Sequence, residues 1–231
     1  MPPNNLNVVL VYIKSLLVSF VLTMGAAFLQ IKVILGIPDF KPLYLLAPSV
    51  IALGFGILAA RIIILFNELK WYSIRDPLTN TFNHGYYKQV LNDWCNENKT
   101  FSIILMDLDH FKKINDEHGH QIGDKTLVHF CELVTETKRL YDVFARHGGE
   151  EFIILSPRTD LLEAEDLAKR IGQVVRDATM PSGDSLTCSF GVAEFRVGKD
   201  SPNELFDRAD KAMYESKNQG RDRVTLEKIN R

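Results

Sequence analysis

The sequence is short of cysteine, has no surplus of positive charge, and carries almost no charge of either sign in its first quarter. Its three cysteines, Cys95, Cys131 and Cys188, are widely spaced and form no CxxC pair. That excludes a disulfide framework and fits a reducing compartment. The formal net charge of -2 argues against a surface made to coat nucleic acid, so no nucleic-acid partner is expected. Residues 1–66 hold four basic residues (Lys14, Lys32, Lys41, Arg61) and one acid, Asp39. Of the chain's 27 basic and 29 acidic residues, that leaves 23 and 28 for residues 67–231, a net of -5. A charge-poor segment is therefore joined to an ordinary charged globular part.

What fills the charge-poor part is apolar sequence. Leu43 to Ala60 has no charge, and after Arg61 the run continues as IIILF. Val8 to Leu29 is apolar apart from Lys14. Runs of about 18 apolar residues are long enough to cross the hydrocarbon core as helices, so residues 1–66 are expected to form two transmembrane helices in a lipid bilayer. Met1 to Asn7 has no basic residue, which argues against a cleaved signal peptide. Two spans return the chain to its starting side, and the stretch Ile37 to Lys41 between them is too short for a sensor domain. Arg61, Lys70 and Arg75 cluster after the second span, which places that side in the cytoplasm. Residues 67–75 read as a helical linker. Leu58, Ile62, Leu65, Leu69 and Tyr72 recur at spacings of 4, 3, 4 and 3, a short seam by which two helices pack side by side.

Beyond the linker the pattern alternates. Phe101 to Met106 is a short apolar run, read as a buried strand, and it ends at Asp107. Leu127, Phe130, Cys131 and Val134 have helical spacing. Tyr141 to Arg146 and Phe152 to Ser156 read as strands joined through Gly148-Gly149, a strong hairpin signal. Leu161 to Val175 and Asn203 to Lys217 read as amphipathic helices, and Ser185 to Phe195 as a strand between them. The fold class expected is α/β in the α+β sense: a mixed sheet with helices packed on it.

Carboxylates sit where these elements meet. Asp107 is at a strand end, and Glu150 and Glu151 follow the two glycines. Mg²⁺ takes one or two protein carboxylates and completes its shell with phosphate and water. Gly148 and Gly149 let the backbone approach a phosphate without a Cβ in the way. Lys112, Lys217 and Arg221 supply positive charge for a polyphosphate. Asn115 and Asp124 offer an amide and a carboxylate that complement a guanine edge. Taken singly, each of these features suits a solvated surface or an ordinary turn. A zinc site built from His110, His118, His120, Asp107 and Asp109 is disfavoured, because no histidine pair has ligand spacing.

Joined end to end, the motifs resemble one family. RHGGEEF, Arg146 to Phe152, resembles the name-giving motif of GGDEF diguanylate cyclases in its GGEEF form. DPLTNTFN at Asp76 to Asn83 resembles the family's opening motif, with Asn80-Thr81 in place of Gly-Leu and His84 where Arg is common. Met106 to Leu127 resembles its metal-and-guanine segment, and Ser189 to Ala193 and Ala209 to Val224 its later strand and closing helix.

The resemblance implies a mixed, mainly antiparallel sheet flanked by helices, similar to the palm of nucleotidyl cyclases and polymerases, over residues 76–231. It implies an enzyme that condenses two GTP into cyclic di-GMP and two pyrophosphates, active as a homodimer; the two apolar runs, which the resemblance does not cover, place it at a bacterial inner membrane. Asp107, Glu150 and the carbonyl of Leu108 would hold Mg²⁺, with Mn²⁺ as an alternative. Asn115 and Asp124 would bind guanine, and Lys112, Lys217 and Arg221 the triphosphate. Glu151 would assist the metal or take the ribose proton. Arg139 and Asp142, an RxxD pair just before the hairpin, would form a product-inhibition site with Arg170. The competing expectation is an inactive membrane receptor for cyclic di-GMP.

Overall fold

The computed structural model describes residues 13–15, 17–23, 25 and 46–228, with the side chains of 46–49, 52 and 68–72 outside the description. These fall into two compact units divided between Ser73 and Ile74.

The first unit contains helix α1, Leu46–Ser73, which runs into the linker segment and ends two residues before its expected limit at Arg75. Gly56 and Ala60, one turn apart, are buried, and the Ser15 hydroxyl donates to the Gly56 carbonyl at 3.0 Å. Around the rest of α1 large apolar side chains are exposed, among them Val50, Phe55, Leu58, Ile62, Leu65 and Phe66. Among the described residues no helix is long and apolar enough to cross a membrane. Half of the run Val8 to Leu29, and Leu43 to Leu45 at the head of the second run, lie outside the described residues.

The second unit is a five-stranded sheet in the order β2-β3-β1-β4-β5. Its elements are α2 (His84–Asn96), β1 (Phe101–Leu108), α3 (Phe111–His118), α4 (His120–Thr137), β2 (Val143–Gly148), β3 (Glu151–Pro157), α5 (Leu161–Asp177), β4 (Cys188–Glu194), α6 (Pro202–Asn218) and β5 (Arg223–Leu226). β1 pairs antiparallel with both β3 and β4, and β2 antiparallel with β3; β5 alone runs parallel, to β4. The expected mixed, mainly antiparallel sheet flanked by helices is what forms.

β1 is central, and all eight of its residues are buried. Period-2 alternation sends Ile104, Met106 and Leu108 into one core with Phe130, Leu167 and Ile171. Ile103 and Leu105 go to the opposite core with Tyr87, Leu91, Leu205, Ala209 and Met213. Local chemistry sets the ends of the helices. Asn83 caps α2 by accepting from the Tyr86 N–H, and Asp160–Glu163 and Ser201–Glu204 form capping boxes on α5 and α6.

Several boundaries differ from the sequence reading. The β2 strand starts at Val143, not Tyr141, because Asp142 is held in a turn in which its carboxylate accepts from the Arg139 N–H at 2.7 Å. The β4 strand starts at Cys188 because Thr187 turns its hydroxyl onto Asp109. The closing helix stops at Asn218, and Gly220, Arg221 and Asp222 follow with φ of 107°, 63° and 47° before β5. Helices α3 and α4 are separated at Gly119, whose φ of 80° glycine alone adopts cheaply.

Candidate active site

Two ridges end at the same place. On α6, Leu205, Ala209, Met213 and Lys217 recur every four residues and so share one face. On β1, Ile103, Leu105 and Asp107 share the face beneath them. The first three α6 residues pack in the core with Ile103 and Leu105. The fourth places the Lys217 ammonium 2.8 Å from the Asp107 carboxylate. What brings the helix so close is Gly191 on β4. A Cβ there would lie 2.0 Å from the Ala209 carbonyl oxygen and 2.3 Å from the Met213 nitrogen.

The hairpin brings the other acids to this point. Asp107 pairs in register with Glu151 across β1 and β3, so their side chains leave the sheet on the same face. The Leu108 N–H donates to the Glu150 carbonyl at 3.3 Å. Gly149 turns the chain at φ 52°, with Glu150 beside it between the strands. The hairpin is held from behind by Arg146, which donates twice to the Gly149 carbonyl, at 2.9 and 2.7 Å. The same guanidinium donates to Asp76 at 3.1 Å. Asp76 also accepts from the Thr79 N–H and hydroxyl. Burial would raise the Asp76 carboxyl, but these hydrogen bonds and the Arg146 charge outweigh it and bring it below its ordinary value.

Asp107 and Glu150 show the opposite balance. Burial pushes Asp107 up; the Lys217 hydrogen bond and charge oppose this, while Glu151 and Asp109 add to it. Burial and the Asp107 charge push Glu150 up. Carboxylates whose ionisation is opposed by burial and by neighbouring acids form a place where a hard cation is favoured. Among the described residues no group of three or more His, Cys, Asp or Glu gathers as a ready metal cage. A donor set of one or two carboxylates, as Asp107 and Glu150 offer, fits Mg²⁺, which leaves most of its shell to phosphate and water. It does not suit the zinc constellation: His118 points to Asp184 at 2.9 Å, and Asp109 is taken up by protein donors.

Asn115 lies on α3 and Asp124 on α4, and a bare position lets the two helices close. At Gly123 a Cβ would stand 1.9 Å from the Asn115 Oδ1. The amide therefore lies over Gly123, the residue before Asp124 in the chain. Lys112, on the preceding turn of α3, is exposed, as is Arg221. Gly123 and Gly191 were not singled out from the sequence, and Asp109 was weighed there only as a zinc ligand; the structure packs Gly123 against Asn115 and Gly191 against α6, and gives Asp109 three protein donors.

Arg139, Tyr141, Asp142, Trp94, Lys99 and Arg158 line a separate cavity of 940 Å³. Asp142 is only 4% exposed, and its Oδ1 has no hydrogen-bond partner among the described residues. The Arg139 guanidinium makes one long contact, 3.4 Å to the Thr159 hydroxyl. Arg170, on α5, is not part of this cavity's lining.

Comparison with known proteins agrees with this architecture. Diguanylate cyclase DgcM of Escherichia coli is 42% identical over 164 residues, 69% of this chain and 40% of that protein. Diguanylate cyclase A of Treponema denticola is 39% identical over 144 residues, 61% of this chain and 39% of that protein. The coiled coil and GGDEF domain of DgcB from Caulobacter crescentus, solved with c-di-GMP, superposes with a TM-score of 0.68 at 28% identity, covering 74% of this chain and 94% of that one. The diguanylate cyclase SiaD of Pseudomonas aeruginosa, solved with its activator SiaC, gives 0.67 at 33% identity, with coverages of 73% and 67%. The chain spans between 24% and 53% of the length of the curated relatives it matches. Residues 73–223 match the family described as diguanylate cyclase, GGDEF domain, and the chain belongs to that family.

Proposed function

We propose that the chain condenses two GTP molecules into cyclic di-GMP, with two cyclase domains face to face, each presenting one nucleotide. The observation that carries this reading is the convergence of Asp107, Glu150, Glu151 and Lys217 at one end of the sheet. Asn115 and Asp124 hold guanine. Lys112, Lys217 and Arg221 hold the triphosphate, and Gly148 and Gly149 let it approach the hairpin backbone. Mg²⁺ or Mn²⁺ held by Asp107, Glu150 and the Leu108 carbonyl would offset phosphate charge and lower the pKa of the ribose hydroxyl. Each 3′-oxygen forms a bond to the α-phosphorus of the opposite GTP, the bond to pyrophosphate breaks, and the proton leaves towards Glu151 or water. Positioning and electrostatics supply the catalysis, without a protein nucleophile.

Asp107→Asn and Glu150→Gln are expected to abolish GTP turnover, measured as cyclic di-GMP by mass spectrometry, with unchanged circular dichroism. Parental rates in either variant would overturn the metal assignment. Retained cyclic di-GMP binding with no turnover by the parent would instead support the receptor reading.

The domain limits proposed are a membrane region at residues 1–66, a helical linker at 67–75 and the cyclase at 76–231. Support for the membrane region comes from the two apolar runs and from the exposed apolar side chains of α1, which suit lipid or a partner better than water. The cyclase then lies on the cytoplasmic face of an inner membrane. Product inhibition at Arg139 and Asp142, with Arg170 as a further cation, is supported by the cavity that Arg139 and Asp142 line and by the unpartnered Asp142 oxygen. Arg139→Ala is expected to keep turnover and weaken inhibition by added cyclic di-GMP; an unchanged inhibition curve removes this site.

A further inference from the structure

The segment after α6 is held in an unfavourable shape. Gly220, Arg221 and Asp222 all have positive φ, and two of the three have a Cβ. L-residues enter this region at a cost, so consecutive ones persist only where their surroundings fix them. The fixing group is Asp109, just past the end of β1. Its Oδ2 accepts from the Asp222 backbone N–H at 3.0 Å and from the Thr187 hydroxyl at 2.7 Å, and its Oδ1 accepts from the Ser189 hydroxyl at 2.7 Å. Asp109 is 5% exposed, and its own N–H donates to the Thr187 carbonyl at 2.9 Å. From the outer side, Arg176 of α5 donates to the Asp222 carboxylate at 2.6 Å. Asp222 is thus gripped by its backbone and by its side chain. The Arg221 N–H is bound as well, to the Ser216 carbonyl at 2.9 Å. What stays exposed is the Arg221 side chain, four residues beyond Lys217.

We propose that Asp109 is a positioning residue, with Arg176 as its outer counterpart, whose task is to hold the left-handed turn that presents Arg221 to the triphosphate. A carboxylate with three donors already on it is poorly placed to serve as a metal ligand. It couples the end of β1, where Asp107 sits, to the start of β4 and the lead-in to β5. A long cation fixed at its backbone loses less freedom on meeting phosphate, so pre-formation of the turn appears as affinity. The inference rests on the reading of Arg221 as a triphosphate ligand.

The test is a double-mutant cycle on binding, using the full chain, Mg²⁺ and the non-cleavable guanosine α,β-methylene triphosphate in a calorimeter. Asp109→Ala is expected to weaken binding at least tenfold in the parent and less than twofold in an Arg221→Ala background. Asp109→Asn, which keeps an oxygen for the Asp222 N–H, is expected to recover most of the loss. Arg176→Ala alters a half-exposed ion pair and so tests the same turn if Asp109→Ala does not fold. It is expected to weaken binding about threefold, again only while Arg221 is present. Losses that persist in full without Arg221, or no loss in either variant, overturn the positioning role while leaving the GTP site standing. A parent that does not bind the analogue overturns the site reading and this inference with it.

Discussion

Gly123 has no side chain because Asn115 occupies the place where one would stand, 1.9 Å from its absent Cβ. Alanine there has two separable consequences. It improves a helix interior by about 0.5–1 kcal/mol, and it drives the end of the Asn115 side chain out of position. Gly123→Ala is therefore expected to keep or slightly raise thermal stability while raising KM for GTP at least tenfold; an unchanged KM would separate Asn115 from guanine. At this scale the sequence was informative where chemistry and chain order coincide. Asp107 closes an apolar run, and Glu150 and Glu151 follow two glycines, so all three were legible as candidate metal or catalytic acids. Gly191 was not, and Asp109 was weighed only as a zinc ligand. Asp109 meets donors 78, 80 and 113 residues away, and Gly191 owes its bareness to a helix that follows it by some twenty residues. No local periodicity reports such long-range partners.

Among the elements, the β2-β3 hairpin is the one tied most directly to the start of the domain. Arg146 bridges the Gly149 carbonyl and Asp76, and its own N–H donates to the Phe82 carbonyl at 2.8 Å. The Asp76 carboxyl is held below its ordinary value of 3.8, so the unfolded chain binds its proton more readily than the folded one. Its stabilisation is present above that ordinary value and fades as pH falls below it. Asp76→Asn is expected to cost about 1–2 kcal/mol at pH 7, with the difference from the parent shrinking in urea titrations below pH 3.8. A difference that stays constant into acid would show that charge at Asp76 is not what matters. Strand β1, the hairpin and the amphipathic helices α5 and α6 were legible because their apolar periods are long and clean. Helix α2 was not: its buried face is only Tyr87, Leu91 and Cys95. Strand β5 was also missed. Its four residues are partly exposed, and they follow a left-handed turn that carries no proline to mark it.

On the scale of the whole molecule, a helix of 28 residues leads into the cyclase domain, and two such domains are needed for the reaction proposed. A seam of Leu58, Ile62, Leu65, Leu69 and Tyr72 would hold two chains together at high effective concentration. Leu58, Ile62 and Leu65 are exposed on α1, while the side chains of Leu69 and Tyr72 lie outside the described residues. Leu69→Glu leaves the cyclase domain untouched. It is expected to reduce the dimer in detergent and to lower activity at low protein concentration, with recovery as concentration rises. A fully dimeric, fully active variant would place the contact elsewhere. All of this depends on what the protein makes. Purified full chain incubated with GTP and Mg²⁺, with products identified by mass spectrometry and pyrophosphate assayed in parallel, answers that directly. The account predicts cyclic di-GMP with about two pyrophosphates released for each molecule formed, one per phosphodiester bond closed. A mononucleotide cyclic product, or no consumption of GTP by a folded dimer, would contradict it.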